Sequence, residues 1–160
     1  MDSSIEVRLA ESGIVLPTGA KPHPDKPFLP WQWDGNHVYL SGALPDIEGE
    51  PVVRGQVGGD VDLDAAVAAA RRVALNLIAT LRDVVGDLDR VEQVVKLLGF
   101  VSSVPGFTQQ PLVINGASQC FIDVFGPERG RHARSAIGVS ALPQGVPVEV
   151  EAIVRSGPTA

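Results

Sequence analysis

The sequence has a single cysteine, Cys120, among 160 residues. No disulfide can form within the chain, and no Cys/His spacing suits a metal, so a reducing cytosol and no bound metal are expected. Basic residues are also short: 13 Lys and Arg stand against 19 Asp and Glu, a net charge of −6. Nucleic-acid affinity comes largely from Lys and Arg neutralising phosphates, so an acidic chain is a poor partner for nucleic acid. Apart from Arg71-Arg72, basic residues gather only at Arg129, Arg131, His132 and Arg134, next to Glu128. No apolar run approaches the ~20 residues needed to cross a bilayer. Met1-Asp2-Ser3-Ser4 has neither the basic nor the apolar region of a signal peptide. A cytoplasmic protein with no membrane partner is the expectation. The glycine-containing stretch 49–59 holds no Gly-Lys-Ser/Thr and no dinucleotide fingerprint, which excludes the usual phosphate cradles.

What is present is enough for a core. Apolar residues make up 44% and mean hydropathy is +0.15. Residues 1–160 read as one domain, of a size that buries roughly 68–70% of the surface its unfolded chain exposes. Residues 3–12 suggest a short helix capped by Ser3 or Ser4 and stopped at Gly13. Prolines 17, 22, 24 and 27 mark 16–27 as an extended linker. Residues 28–41 read as a β-hairpin turning at Asp34-Gly35, with Pro30 making its first run an edge or an irregular strand. Residues 45–60 read as loop. Leu63, Val67, Ala70, Ala74, Leu77, Leu81 and Val84 step alternately by four and three, which predicts a helix over about 62–85 ended by Gly86. Arg71, Arg72, Arg82 and Asp83 lie off that face, toward solvent. Val91–Val101 reads as a buried central strand, although a short helix also fits this run. A helix over about 109–125 presents Val113, Ala117, Cys120, Phe121 and Val124, and Gly126-Pro127 ends it. Ala136–Leu142 and Val146–Val154 predict two closing strands, a second hairpin about Pro143-Gln144-Gly145. The fold class is α/β (α+β): a mixed or antiparallel sheet with both long helices on one face. If its other face is partly apolar, self-association is one way to cover it.

Several groups carry candidate chemistry. Arg134, in Gly130-Arg131-His132-Ala133-Arg134-Ser135 just before a strand, can fork two N–H bonds onto a carboxylate; on spacing alone, a solvated basic turn is the better explanation. Glu149 and Glu151 share a strand face and can orient a water or accept a proton; a solvated face is the plainer reading. His23, His37 and His132 have no partner nucleophile in reach and read as surface or loop histidines. Cys120 falls on an apolar helix face and reads as a small core residue.

Taken together, several blocks resemble the RidA/YjgF family of reactive-intermediate deaminases, also labelled endoribonuclease L-PSP-like. These are Gly35-Asn36-His37-Val38-Tyr39-Leu40-Ser41-Gly42 with Leu44-Pro45, Asn115, Ala133-Arg134-Ser135, Leu142-Pro143, and Val148-Glu149-Val150-Glu151-Ala152-Ile153. The likeness runs from about Pro27 to Val154, with 1–26 as an added N-terminal helix and linker and an insertion before Arg134. It implies a chorismate-mutase-like fold assembled as a homotrimer with sites in clefts between subunits. It also implies deamination of 2-imino or 2-enamino acids to 2-keto acids and ammonia, without metal or organic cofactor. In that scheme Arg134 holds the substrate carboxylate and Glu149 helps orient the attacking water. Phe28, Ser41, Gly42, Asn115 and Ala136 match positions that line or adjoin the pocket. The family's usual tyrosine is Phe28 here and its usual glutamine is Ala43, which makes the pocket less polar. Those departures keep open a non-catalytic module that binds small carboxylates. A ribonuclease rests on the family's second label alone.

Overall fold

The computed structural model describes residues 4–157. In chain order the elements are α1 (Ile5–Glu11), β1 (Trp31–Asp34), β2 (His37–Ala43), β3 (Asp46–Ile47), β4 (Glu50–Pro51), α2 (Leu63–Val85), β5 (Val91–Ser102), α3 (Gln110–Gly130), β6 (Ala133–Val139) and β7 (Val148–Ser156). One sheet runs β1-β2-β7-β5-β6, and β3 and β4 form a small hairpin of their own. The β5–β6 pair is parallel and every other neighbour in the large sheet is antiparallel. Both long helices cover one face, so the α+β, mixed-sheet architecture expected from the sequence holds.

Local chemistry explains most boundaries. Ser4 caps α1 by accepting from the Val7 amide, Ile5 and Leu9 are buried, and Gly13 leaves the helix at φ 65°; Ser3 lies outside the described residues. Asp62 caps α2 through the Ala65 amide, and Gly86 ends it at φ 79°. The β1–β2 turn is Gly35-Asn36, with positive φ at Gly35 only, one residue later than Asp34-Gly35. A positive first position with a negative second is the type II′ pattern, whose twist suits a hairpin. The first strand starts at Trp31, after Pro30, and is an edge strand as expected.

Four expectations need correction. Residues 45–60 are not all loop, since β3 and β4 pair within them and Asn76 and Arg72 of α2 donate to the Asp46 carbonyl. Arg71 and Arg72 are half-buried rather than fully solvated, Arg71 being paired with Asp123 at 2.8 Å. The linker is strapped along α2: the Ala20 amide meets Thr80 Oγ1 at 2.8 Å, and a Cβ on buried Gly19 would strike Asp83, Ala79 and Thr80. Finally, β6 and β7 are not a hairpin. The α3 crossover returns β6 parallel to β5, and β7 then inserts on the other side of β5, between it and β2. The two strands also start later or earlier than the pattern suggested, β6 at Ala133 and β7 at Val148.

The core lies between the sheet and the helix pair. Val38, Leu40, Leu97, Val101, Val148, Val150, Ala152 and Val154 meet Val73, Leu77, Leu81, Val113, Ala117, Phe121 and Val124, all buried. Each large apolar side chain there contributes about 1.5–3 kcal/mol. Ala66, Ala69, Ala70 and Ala74 let α2 approach its neighbours closely, and Gly116 of α3 sits where a Cβ would run into the Val67 carbonyl. Helix α3 breaks at Gly126 (φ 77°) and makes one further turn beyond Pro127. No helix among the described residues is long and apolar enough to cross a membrane.

Candidate functional site

The sequence-predicted site residues fall into two groups on opposite faces of the sheet. The first is built by edge strand β6 and the N-terminal half of α3. Arg134 is the second residue of β6, not part of a turn before it. Strand period two places Arg134, Ala136 and Gly138 on the helix side. Arg134 Nη1 donates to Asn115 Oδ1 at 2.8 Å and to Ser118 Oγ at 3.1 Å, and Nη2 donates to the Pro111 carbonyl at 3.3 Å. All three acceptors are neutral. Among the described residues no carboxylate lies within ion-pair distance of Arg134, and partial burial holds its pKa below the ordinary value. A guanidinium has five N–H donors. Among the described residues Nε–H and one Nη2 hydrogen therefore have no acceptor, on the edge that offers a carboxylate two parallel bonds.

The second group lies where β2 meets β7. The register slips between Leu40 and Ala43, so Ser41 and Gly42 together oppose Glu151. Such a bulge re-aims side chains and is frequent beside active sites. Ser41 Oγ donates to the Leu29 carbonyl at 2.6 Å. Glu149 lies directly over Gly42, whose absent Cβ makes room for the carboxylate. Burial, with a smaller contribution from Glu151, pushes the Glu149 pKa above the ordinary value, and no donor among the described residues meets its oxygens. Phe28 and Ser41 line an open groove of about 470 Å³, together with Leu29, Tyr39, Glu151 and Ile153. Val148 and Val150 take the core face, as the alternation predicted.

Within one chain the groups do not meet. Strand β5 separates β6 from β7, so Arg134 and Glu149 are two strand spacings apart, roughly 10 Å, before their opposite facing is added. Arg134, Asn115 and Ala136 are together; Phe28 and Ser41 share the groove, which Glu151 lines, while Glu149 sits beside it over Gly42. Among the described residues no group of three His, Cys, Asp or Glu side chains could hold a metal.

Sequence reasoning missed two residues. Ser118 follows Asn115 by three, which places both on one helix face beneath Arg134. His132, read as a loop histidine, is half-buried and meets Ser118 Oγ through Nε2 at 3.0 Å and the Gly130 carbonyl through Nδ1 at 2.7 Å. Its position two residues before Arg134 was the available signal. Cys120 is buried as expected, and desolvation pushes its thiol up to about 11.

Comparison with known proteins gives likenesses over most of the chain. A family profile described as "YjgF/chorismate mutase-like, putative endoribonuclease" matches residues 6–148. Protein TCP17 of Trypanosoma cruzi is 42% identical over 151 residues, covering 94% of this chain and 93% of that one. The crystal structure of Atu1372 from Agrobacterium tumefaciens, of unknown function, superposes with a TM-score of 0.86 at 44% identity, over 96% of this chain and 92% of that one. RidA from the Antarctic bacterium Psychrobacter sp. PAMC 21119 superposes at 0.57 with 26% identity, over 84% and 93%.

Proposed function

The chain belongs to the YjgF/chorismate mutase-like family, and from that premise we propose that it hydrolyses reactive 2-imino or 2-enamino acids to 2-keto acids and ammonia. The observation that carries this reading is Arg134: a partly desolvated guanidinium fixed by neutral acceptors, with no counter-charge and a free donor edge. A small carboxylate supplies both the missing charge and the two missing acceptors. Holding the acid at that edge pre-orients its imine carbon, so part of the entropic cost of the encounter is met before reaction. Water adds to the C=N carbon, its protons pass to nitrogen, and ammonia leaves as the carbonyl forms. The step as written uses no metal and no organic cofactor.

Glu149 is the group we assign to orienting that water and handling its proton. Since Arg134 and Glu149 face apart within one chain, this assignment requires a second copy. We propose a homotrimer in which Arg134, Asn115 and Ala136 of one copy face Phe28, Ser41, Gly42 and Glu149 of the next. Two features support it: a cation without an anion and an anion without a donor, each half-exposed, and an uncovered sheet face that presents Tyr39 at 43% and Ile137 at 44% exposure. The buried thiol of Cys120 suits a reducing cytosol, where we place the reaction.

A second reading is a non-catalytic receptor for small carboxylates, favoured by Phe28, which has no hydroxyl to offer. Freshly generated 2-iminopropanoate decays faster with wild type than with Arg134→Ala if the deaminase reading is right. Binding of 2-keto acids without turnover selects the receptor instead, and equal decay with both proteins removes the role of Arg134. RNA cleavage is opposed by the −6 net charge, and cleavage unchanged by Arg134→Ala would place any nuclease elsewhere.

A further inference from the structure

The hydrogen bonds behind Arg134 have a defined direction. The Gly130 carbonyl can only accept, so His132 Nδ1 carries a proton. Burial and the neighbouring Arg134 charge depress the His132 pKa below its ordinary 6.5, so the ring is neutral at physiological pH and Nε2 is a bare acceptor. The Ser118 hydroxyl therefore donates its one hydrogen to His132 Nε2 and turns its lone pairs to Arg134 Nη1. The chain runs one way: Arg134 to Ser118 to His132 to the Gly130 carbonyl. Phe121 packs edge-on against the imidazole with centroids 6.3 Å apart and fixes its plane.

We propose that Ser118 and His132 are positioning residues that lock the Arg134 guanidinium with its free edge presented to a carboxylate ligand. This rests on Arg134 being the carboxylate receptor and adds the device that aims it. A serine whose hydrogen was unclaimed could rotate and point it at Arg134, replacing attraction with repulsion between two donors. The fixed His132 tautomer removes that alternative. Asn115 and Pro111 each take one further hydrogen, so three contacts fix the guanidinium and leave its Nε/Nη2 edge for the ligand. Preorganisation of this kind acts on ligand affinity by cutting the ordering cost of binding.

The test uses the full-length chain, with 2-oxobutanoate as the probe and calorimetric titration as the readout. Ser118→Ala and His132→Leu should each weaken binding about five- to tenfold with little change in Tm, the size of one ordinary net hydrogen bond felt indirectly through the aim of Arg134. The double variant should be no weaker than Ser118→Ala alone, because both changes break one chain of bonds. Ser118→Thr, which keeps the hydroxyl, should retain affinity. Nitrogen-15 NMR of the wild-type ring should show a proton on Nδ1 and none on Nε2, an observation independent of any variant's folding. Multiplying losses, wild-type affinity in Ser118→Ala, or a protonated Nε2 overturns the relay. Wild-type affinity in Arg134→Ala removes the receptor reading itself; loss there with Ser118→Ala unaffected removes only the relay.

Discussion

Replacing Gly116 by alanine sets two effects of opposite sign against each other. Gly116 lies inside α3, where glycine costs about 1 kcal/mol relative to alanine, so helix propensity alone predicts stabilisation. With ~2–4 °C of Tm per kcal/mol for a chain of this size, that gain would raise Tm by about 3 °C. Packing predicts the reverse. A Cβ at 116 would sit inside the van der Waals envelope of the Val67 carbonyl oxygen, and the obstacle is backbone of α2, with no rotamer to escape into. The helices must separate, in a contact zone where Ala69, Ala70 and Ala74 are at most 2% exposed. Overpacking costs typically 1–3 kcal/mol and more where the obstacle is rigid; taking about 3–4 kcal/mol and subtracting the propensity gain leaves a net loss of about 2–3 kcal/mol. Thermal unfolding followed at 222 nm should show Tm lower by roughly 4–12 °C. Asn115 and Ser118 flank Gly116, so affinity for a 2-keto acid should fall as well. A Tm equal to or above wild type would refute the close α2–α3 contact.

Other expectations follow from the same geometry. If Glu149 works as its carboxylate, protonation abolishes its role, and a raised pKa moves the acid limb of kcat/KM above the ordinary 4.5; Glu149→Gln should lower the rate and remove that limb. Gly42→Ala should displace the Glu149 carboxylate, a flexible end that can yield, and so depress kcat while Tm moves little. Cys120, buried with its thiol pushed up to about 11, should resist a thiol reagent at pH 8 in the native protein and react only on unfolding. Arg134→Lys should keep the charge but lose the fork, binding 2-keto acids more weakly than wild type and more tightly than Arg134→Ala.

The helices were legible because their apolar faces repeat at helical spacing and their ends carry Asp62, Gly86 and Gly126, which act locally. Strand partners were not. Val146–Val154 alternates cleanly, and that alternation correctly set Val148 and Val150 against the core. Nothing in a period-two pattern says which neighbour a strand pairs with. A short connection at Pro143–Gly145 suggested a hairpin, yet β7 crosses past β5 and pairs on its far side. The linker's strap onto α2 was equally hidden, because it depends on Gly19 leaving room for Thr80 and Asp83, a contact across some sixty residues of sequence.

The sequence singles out Arg134 as a residue but not its direction, and the reason is where β6 begins. A strand starting at Ala136 leaves Arg134 in a turn with no face assigned to it. A strand starting at Ala133 puts Arg134, Ala136 and Gly138 on the helix side. The small residues at 136 and 138 then acquire a purpose: a Cβ on Gly138 would meet Gln110 Nε2 at 2.8 Å, so the absence of side chains there lets the first turns of α3 close over the strand. That approach brings Pro111, Asn115 and Ser118 within reach of the guanidinium. The same choice of face turns Arg134 away from Glu149, which the Val/Glu alternation sets on the open side. The Arg134 donor edge proposed to take a carboxylate is therefore built within one chain, whereas any chemistry that pairs Arg134 with Glu149 depends on how copies meet. The two properties should separate experimentally: dilution or interface substitutions that split an assembly would abolish turnover while leaving a weakened carboxylate affinity governed by Arg134.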